Sequence, residues 1–85
     1  MGSCKHEIIA NICYTDLVYG RINKKLKSNL SNTEIEYHLL KILTITPTLD
    51  YVKIGKNFYV SNIEHNIKIT VNSYTFRVIT VDRIV

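Results

Sequence analysis

The chain has 85 residues, 46% of them hydrophobic, which is enough for one core and therefore one domain, 1–85. Eleven Lys and Arg against seven Asp and Glu leave a net charge of +4, a field that attracts phosphate polymers but is too weak to act as a dedicated basic tail. No apolar run approaches the roughly 18 residues that span a bilayer, which argues against an integral membrane protein, and glycines at positions 2, 20 and 55 alone cannot build a phosphate-cradling loop.

Cys4 and Cys13 are the only cysteines, and no signal-peptide pattern precedes them, so a reducing cytoplasm without a disulfide framework is expected. Gly2 is followed by His6 where a myristoylation signal needs Ser or Thr, and Met1 to Ser3 also read as a leftover cloning sequence. Abundant Asn, Ile, Lys and Tyr with scarce Ala, Gly, Pro and Trp resemble the coding habit of a low-GC bacterium or its phages.

In chain order, the period is helical before Pro47 and alternating after it, which divides the domain into a helical half, 5–46, and a sheet half, 50–85. Ile8, Ile9 and Ile12 predict a short first helix, and Thr15 and Asp16 a break. Val18, Ile22 and Leu26 then predict a longer helix, with Arg21, Lys24 and Lys25 together on its opposite face and Lys27 just beyond. Gly20 costs that helix about 1 kcal/mol relative to Ala. Ser31 with Glu34 forms a capping box, and Leu30 can staple onto Ile35, so a third helix starts here. It buries Ile35, Leu39, Ile42 and Leu43 and ends before Pro47.

The sheet half begins with "YVKIGKNFYV". Pairing Ile54 with Phe58 and Val52 with Val60 implies a loop of Gly55, Lys56 and Asn57, with Lys53 and Tyr59 on the other face. "IKITVNSYTFRV" closes through an Asn72-Ser73 turn that matches Val71 to Tyr74, Ile69 to Phe76 and Ile67 to Val78. That register sets Lys68 opposite Arg77, an unfavourable like-charge pair unless Glu64 or Asp82 lies near. After Thr80 the phase changes, with Ile79, Val81 and Ile84 apolar on the other side, which predicts a bulge, a sheet end or a second covered face.

Two function classes follow from these patterns. A solvent face of Lys53, Tyr59, Lys68 and Arg77, extended by Arg21, Lys24 and Lys25 if folding brings the helix alongside, would bind phosphates and stack a base. Solvation of long side chains is the simpler account of the same residues, and no RNP or helix-turn-helix pattern accompanies them. The second class is a protein-interaction module: a homodimer through Ile79, Val81 and Ile84 of the last strand, or a phage or mobile-element inhibitor of a host defence enzyme. The six tyrosines read chiefly as core-rim residues. A third reading is a small anionic ligand held at a subunit interface against Arg77 or Arg83.

Enzymatic readings find no support. Cys4, His6 and Cys13, with His38 or His65 as a fourth ligand, match no zinc spacing, so Cys13 reads as a buried or half-buried thiol. No nucleophile motif surrounds the three histidines, and no cofactor is implied.

Through "GKNFYVSN" (Gly55 to Asn62), "IKITVNSYTFRVITVDRI" (Ile67 to Ile84) and "NICYTDLVYGRINKKL" (Asn11 to Leu26), nearly the whole chain resembles a family of small bacterial proteins catalogued as a domain of unknown function. The resemblance implies a free-standing single domain with no established activity and no catalytic residues to carry over. The expected architecture is α+β: two to three N-terminal helices packed on a three- to four-stranded antiparallel meander. The expected function is a small non-enzymatic binding module, with nucleic acid as its leading partner.

Overall fold

The computed structural model describes residues 4–85, so the questions raised by Met1, Gly2 and Ser3 lie outside the described residues. Helix α1 (Cys4–Asn11) is followed by α2 (Val18–Leu26) and α3 (Asn32–Ile45), then by a short 3-10 turn and strands β1 (Tyr51–Ile54), β2 (Asn57–Asn62), β3 (Ile67–Asn72) and β4 (Val78–Arg83). The strands form one antiparallel sheet in the order β1-β2-β3-β4. The protein is thus the α+β arrangement of amino-terminal helices on a meander.

Helix α3 begins at the capping box: Ser31 Oγ accepts from the Glu34 amide at 3.1 Å, and the Ser31 amide donates to Glu34 Oε1 at 2.8 Å. The Ser31 amide and hydroxyl hold the Glu34 carboxyl below its usual range. The stripe Ile35, Leu39, Ile42 and Leu43 is buried as its spacing dictates. At the other end, Lys5 Nζ donates to the Thr46 carbonyl at 2.8 Å, Thr46 Oγ1 to the Ile42 carbonyl at 2.6 Å, and the Tyr51 hydroxyl to the Leu43 carbonyl. The bonds to Leu43 and Thr46 satisfy carbonyls that the helix end leaves open, and the Thr46 hydroxyl shares the Ile42 carbonyl with the Thr46 amide. Burial pushes the Tyr51 hydroxyl well above the ordinary phenol range.

Gly20 lies in the middle of α2, and a Cβ built there meets nothing within 4 Å outside the helix itself. Gly20→Ala is therefore expected to stabilise the protein by about 1 kcal/mol. Thermal unfolding followed by circular dichroism should show a midpoint several degrees higher, on the order of 4–8 °C for a domain of this size.

Both hairpins differ from the expected registers. In the first, Tyr51 pairs with Val60 and Ile54 with Asn57, so the loop is Gly55-Lys56 alone. Gly55 has φ +61° and Lys56 does not enter the positive-φ region, the pattern of a II′ turn, whose twist suits a tight hairpin. The shift moves Lys53 opposite Phe58 and leaves Val52 and Ile54 exposed on the face away from the helices.

In the second hairpin Val71 pairs with Val78, not Tyr74, and Lys68 pairs with Asp82, not Arg77. The Asn72 side-chain oxygen accepts from the amides of Tyr74 and Thr75 at 2.8 and 2.9 Å, and this Asx turn opens the connection into a longer loop. Thr70 then pairs with Thr80, so Ile79 is a bulge residue; the irregularity lies just before Thr80 rather than after it. Because of that extra residue Val78 and Val81 both face the core, at 2% and 0% exposure.

One face of the sheet, carrying Phe58, Val60, Ile67, Ile69, Val71, Val78 and Val81, joins Ile8, Val18, Ile22 and the α3 stripe in a single core. The other face carries Val52, Tyr59, Ser61, Lys68, Thr70, Thr80 and Asp82. Helix α2 runs along β4 in the same direction: Arg21 donates to the Ile79 carbonyl at 3.1 Å, Lys25 pairs with Asp82 at 3.0 Å, and Arg83 donates to the Leu26 carbonyl at 3.1 Å. The start of β4 is covered by Cys13, whose amide donates to the Phe76 carbonyl at 2.9 Å and whose carbonyl accepts from Val78 at 3.0 Å. An edge that would otherwise invite a second strand is thereby occupied from within.

Candidate functional site

The predicted platform of Lys53, Tyr59, Lys68 and Arg77 does not assemble. Tyr59 and Lys68 share the open face of the sheet, but Lys53 stands opposite Phe58 on the other side of β1, and Arg77 lies just ahead of β4, exposed and bridged to Cys13 rather than set opposite Lys68. Lys68 faces Asp82 across the strands, so the expected carboxylate partner is present in place of the expected like charge.

The structure instead gathers cations around the end of the sheet where the first and last hairpins turn. Ser73 donates its amide to the Lys56 carbonyl at 2.7 Å, which pins the two loops side by side. Tyr74 is 74% exposed at this tip. Phe76 has φ +59°, a conformation that a bulky side chain adopts only under constraint. Three contacts impose it: its amide donates to the Asn72 carbonyl at 2.9 Å, its carbonyl receives the Cys13 amide, and its ring lies 6.1 Å from that of Phe58.

The reversal at Phe76 throws Arg77 outward. Arg77 and Arg21 line one groove of about 260 Å³ with Thr15, Leu17, Val18 and Ile79. Arg21 also borders a neighbouring hollow with Lys24 and Lys25. Among the described residues Lys24, Lys56 and Arg77 have no hydrogen-bond or ion-pair partner for their charged groups, whereas Lys25 is tied to Asp82 and Arg21 to the Ile79 carbonyl. Sequence reading therefore had Arg21, Lys24 and Arg77 as a candidate group but missed Lys56 and Tyr74. The polar run Asn72 to Thr75, with Asn at the start of an Asx turn, was the signal for a longer loop.

Across the tip, Tyr14 and Tyr19 stack at 5.4 Å with an interplanar angle of 14°. Tyr19 donates to Glu36 at 2.6 Å, and that bond raises its hydroxyl to about 12. Burial, reinforced by Glu36, pushes Tyr14 higher still. Both are uncharged phenols: Tyr19 ties α2 to α3 through Glu36, and Tyr14, in the loop between α1 and α2, stacks on Tyr19.

The interface residues of the last strand also separate. Val81 is core, so it offers no surface to a partner, while Ile79 and Ile84 are 36% and 39% exposed. Cys13 is exposed rather than buried, its Sγ donating to the Thr75 carbonyl at 3.4 Å. Among the described residues no three His, Cys, Asp or Glu side chains are grouped to hold a metal ion, and no helix is long and apolar enough to cross a membrane.

The fold and this tip define a small α+β domain with a cationic end built from two hairpin loops and one helix. The family described as "Protein of unknown function (DUF3781)" matches residues 6–82, and the chain belongs to it. Neither the curated proteins nor the solved structures yield a match.

Proposed function

We propose that the protein is a non-enzymatic binding module whose partner is single-stranded nucleic acid, held at the hairpin tip and along α2 rather than on the open sheet face. The observation that supports this most directly is the strained Phe76, which sets Arg77 beside Arg21 in one groove. Backbone strain of this kind is found mainly where function maintains it. Arg21, Lys24, Lys56 and Arg77 supply sequence-independent phosphate contacts, and exposed Tyr74 supplies a ring on which a base can stack.

Fluorescence anisotropy with a labelled single-stranded oligonucleotide tests the reading. With four phosphates neutralised, affinity should fall on the order of fiftyfold between about 50 and 200 mM salt. Arg77→Ala combined with Lys56→Ala should weaken binding and flatten the salt slope, while Lys53→Ala, on the far strand, should do neither. Salt-independent binding, or none to any oligonucleotide, would refute the proposal.

A second reading is supported at the opposite end of the molecule. Leu49, Ile63 and Ile45 are 92%, 83% and 46% exposed, and Ile45 and Ile63 share a hollow with Pro47. An apolar group of this size suits a protein partner or a second copy of the chain. On this reading the interface lies away from the last strand, and light scattering of Leu49→Lys against the parent protein separates self-association from a hetero-partner.

A further inference from the structure

A second cleft, of about 340 Å³, opens where the α2–α3 connection, the turn between β2 and β3 and the end of β4 meet. Its lining includes His38 from α3, His65 from the turn, Arg83 from β4, and Ser28 and Asn66. It lies at the other end of β4 from Arg77 and shares no lining residue with the groove of Arg21 and Arg77 or with the hollow of Lys24 and Lys25.

The cleft is held open by bonds that do not use the imidazoles. Arg83 is fixed by its bond to the Leu26 carbonyl, a guanidinium at a helix C-terminus, and keeps further N–H donors. Asn66, at φ +55°, exchanges two hydrogen bonds with the backbone of Val85. Asn62 Oδ1 accepts from the His65 amide at 2.9 Å and so fixes the turn that carries the imidazole. Asn23 accepts from Ser28 Oγ and from the Leu30 amide, which sets the third wall. Three rigid walls thus present two imidazoles and a guanidinium to one space.

We infer that this cleft is a binding site for a phosphate monoester dianion, with Arg83 as the permanent charge and His38 and His65 as donors in their protonated form. A dianion accepts several charge-assisted hydrogen bonds at once, which is what two imidazolium groups and a guanidinium offer. The other charged side chains around the site nearly balance: Glu34 and Lys41 one turn either side of His38, Glu64 before His65, Lys27 between the lining residues Leu26 and Ser28, and Asp82 already paired with Lys25.

In the free protein burial, then His65, then Lys41 hold His38 below the ordinary imidazole value of 6.5. A bound dianion reverses the effect of the two neighbouring charges, so binding takes up protons. Affinity therefore falls as pH rises and the imidazoles lose their charge. It falls again at low pH, as the monoester dianion takes up a proton near about pH 6 and becomes a monoanion.

Imidazole proton resonances followed during titration with methyl phosphate, a simple phosphate monoester, against chloride at matched ionic strength, test the assignment. Saturable shifts of both His38 and His65, an affinity maximum between about pH 6 and 7, and a loss on the order of tenfold by about pH 8.5 are expected. Sulfate, which stays a dianion, should lose only the acidic limb. His65→Gln, in an exposed turn where folding is not at stake, should weaken phosphate binding several-fold. Oligonucleotide binding at the tip should be unchanged in that variant, so failure here and failure of the nucleic-acid reading can be told apart. Shifts equal in chloride and methyl phosphate, an affinity flat from about pH 6 to 8.5, or full binding by His65→Gln would each overturn it.

Discussion

Val81→Asp is expected to leave no stably folded protein, while Ile79→Asp, two residues away, is expected to be tolerated. The two side chains differ through the bulge: Ile79 is left without a cross-strand partner and is 36% exposed, whereas Val81 pairs with Ile69 and is 0% exposed among the helices. A lone carboxylate at position 81 would be desolvated with no cation inside the core to pair it, a loss of more than about 4 kcal/mol. An 85-residue domain has a total stability of only about 4–13 kcal/mol, so that single change removes a large share of it or all of it. Urea unfolding monitored by circular dichroism measures both variants. A folded, monomeric Val81→Asp would mean that the last strand lies outside the core. A collapse of Ile79→Asp comparable to that of Val81→Asp would mean that the bulge is misplaced.

Asn62→Leu is expected to cost about 2–3 kcal/mol, and Thr46→Val made in the same protein should recover part of it. Asn62 is 8% exposed, on the core side of β2 next to the end of α3. Its Nδ2 donates to Thr46 Oγ1 at 2.9 Å and its Oδ1 receives the His65 amide. With Leu at 62 the buried Thr46 hydroxyl loses a donor, and the cost of a half-satisfied pair exceeds that of removing both members. A double-mutant cycle in urea should therefore show a coupling of about 0.5–3 kcal/mol, and strict additivity would dismiss the pairing. The same Asn62→Leu change loosens the turn that carries His65. It should accordingly weaken phosphate binding, whereas Thr46→Val alone should not.

The two proposed sites were legible in the sequence to different degrees. Arg21, Lys24 and Lys25 share a helix face because spacings of three and four require it, whatever the fold. Their division into a free Lys24, a Lys25 tied to Asp82 and an Arg21 spread over the Ile79 carbonyl depends on α2 lying along β4. Lys53, Tyr59, Lys68 and Arg77 share a face only if both hairpins adopt one register. In each hairpin the observed register breaks the apolar match that alternation favours, setting Lys53 opposite Phe58 in the first and Ile67 opposite Arg83 in the second, so alternation alone pointed to the wrong pairing. In the first, the II′ turn at Gly55-Lys56 settles the matter. In the second, the Asn72 Asx turn and the Cys13 bridge hold the loop open.

His38 and His65 show the same limit from another side. Each occupies an unremarkable local context, one on a helix and one in a turn, with no motif between them. Only the packing of α3 over the end of the sheet brings them to one cleft with Arg83. Arg83 itself is assigned by the fold to the carboxy-terminal end of α2, a role unlike that of Arg77 although both belong to the last hairpin.

What the sequence by itself determined is what short-range physics decides: the capping box at Ser31, the apolar stripes of α2 and α3, the change from helical to alternating period after Pro47, and the existence of two hairpins. What only the tertiary structure decided is which residues of distant segments meet: Arg77 with Arg21, Lys68 with Asp82, His38 with His65, and Val81 with the core. The reason is that helix caps and periodicities are fixed by neighbours within one or two turns of chain. A one-residue change of strand register or a single bulge, by contrast, reverses the face of every side chain beyond it, and that choice is made by the summed packing of the whole domain.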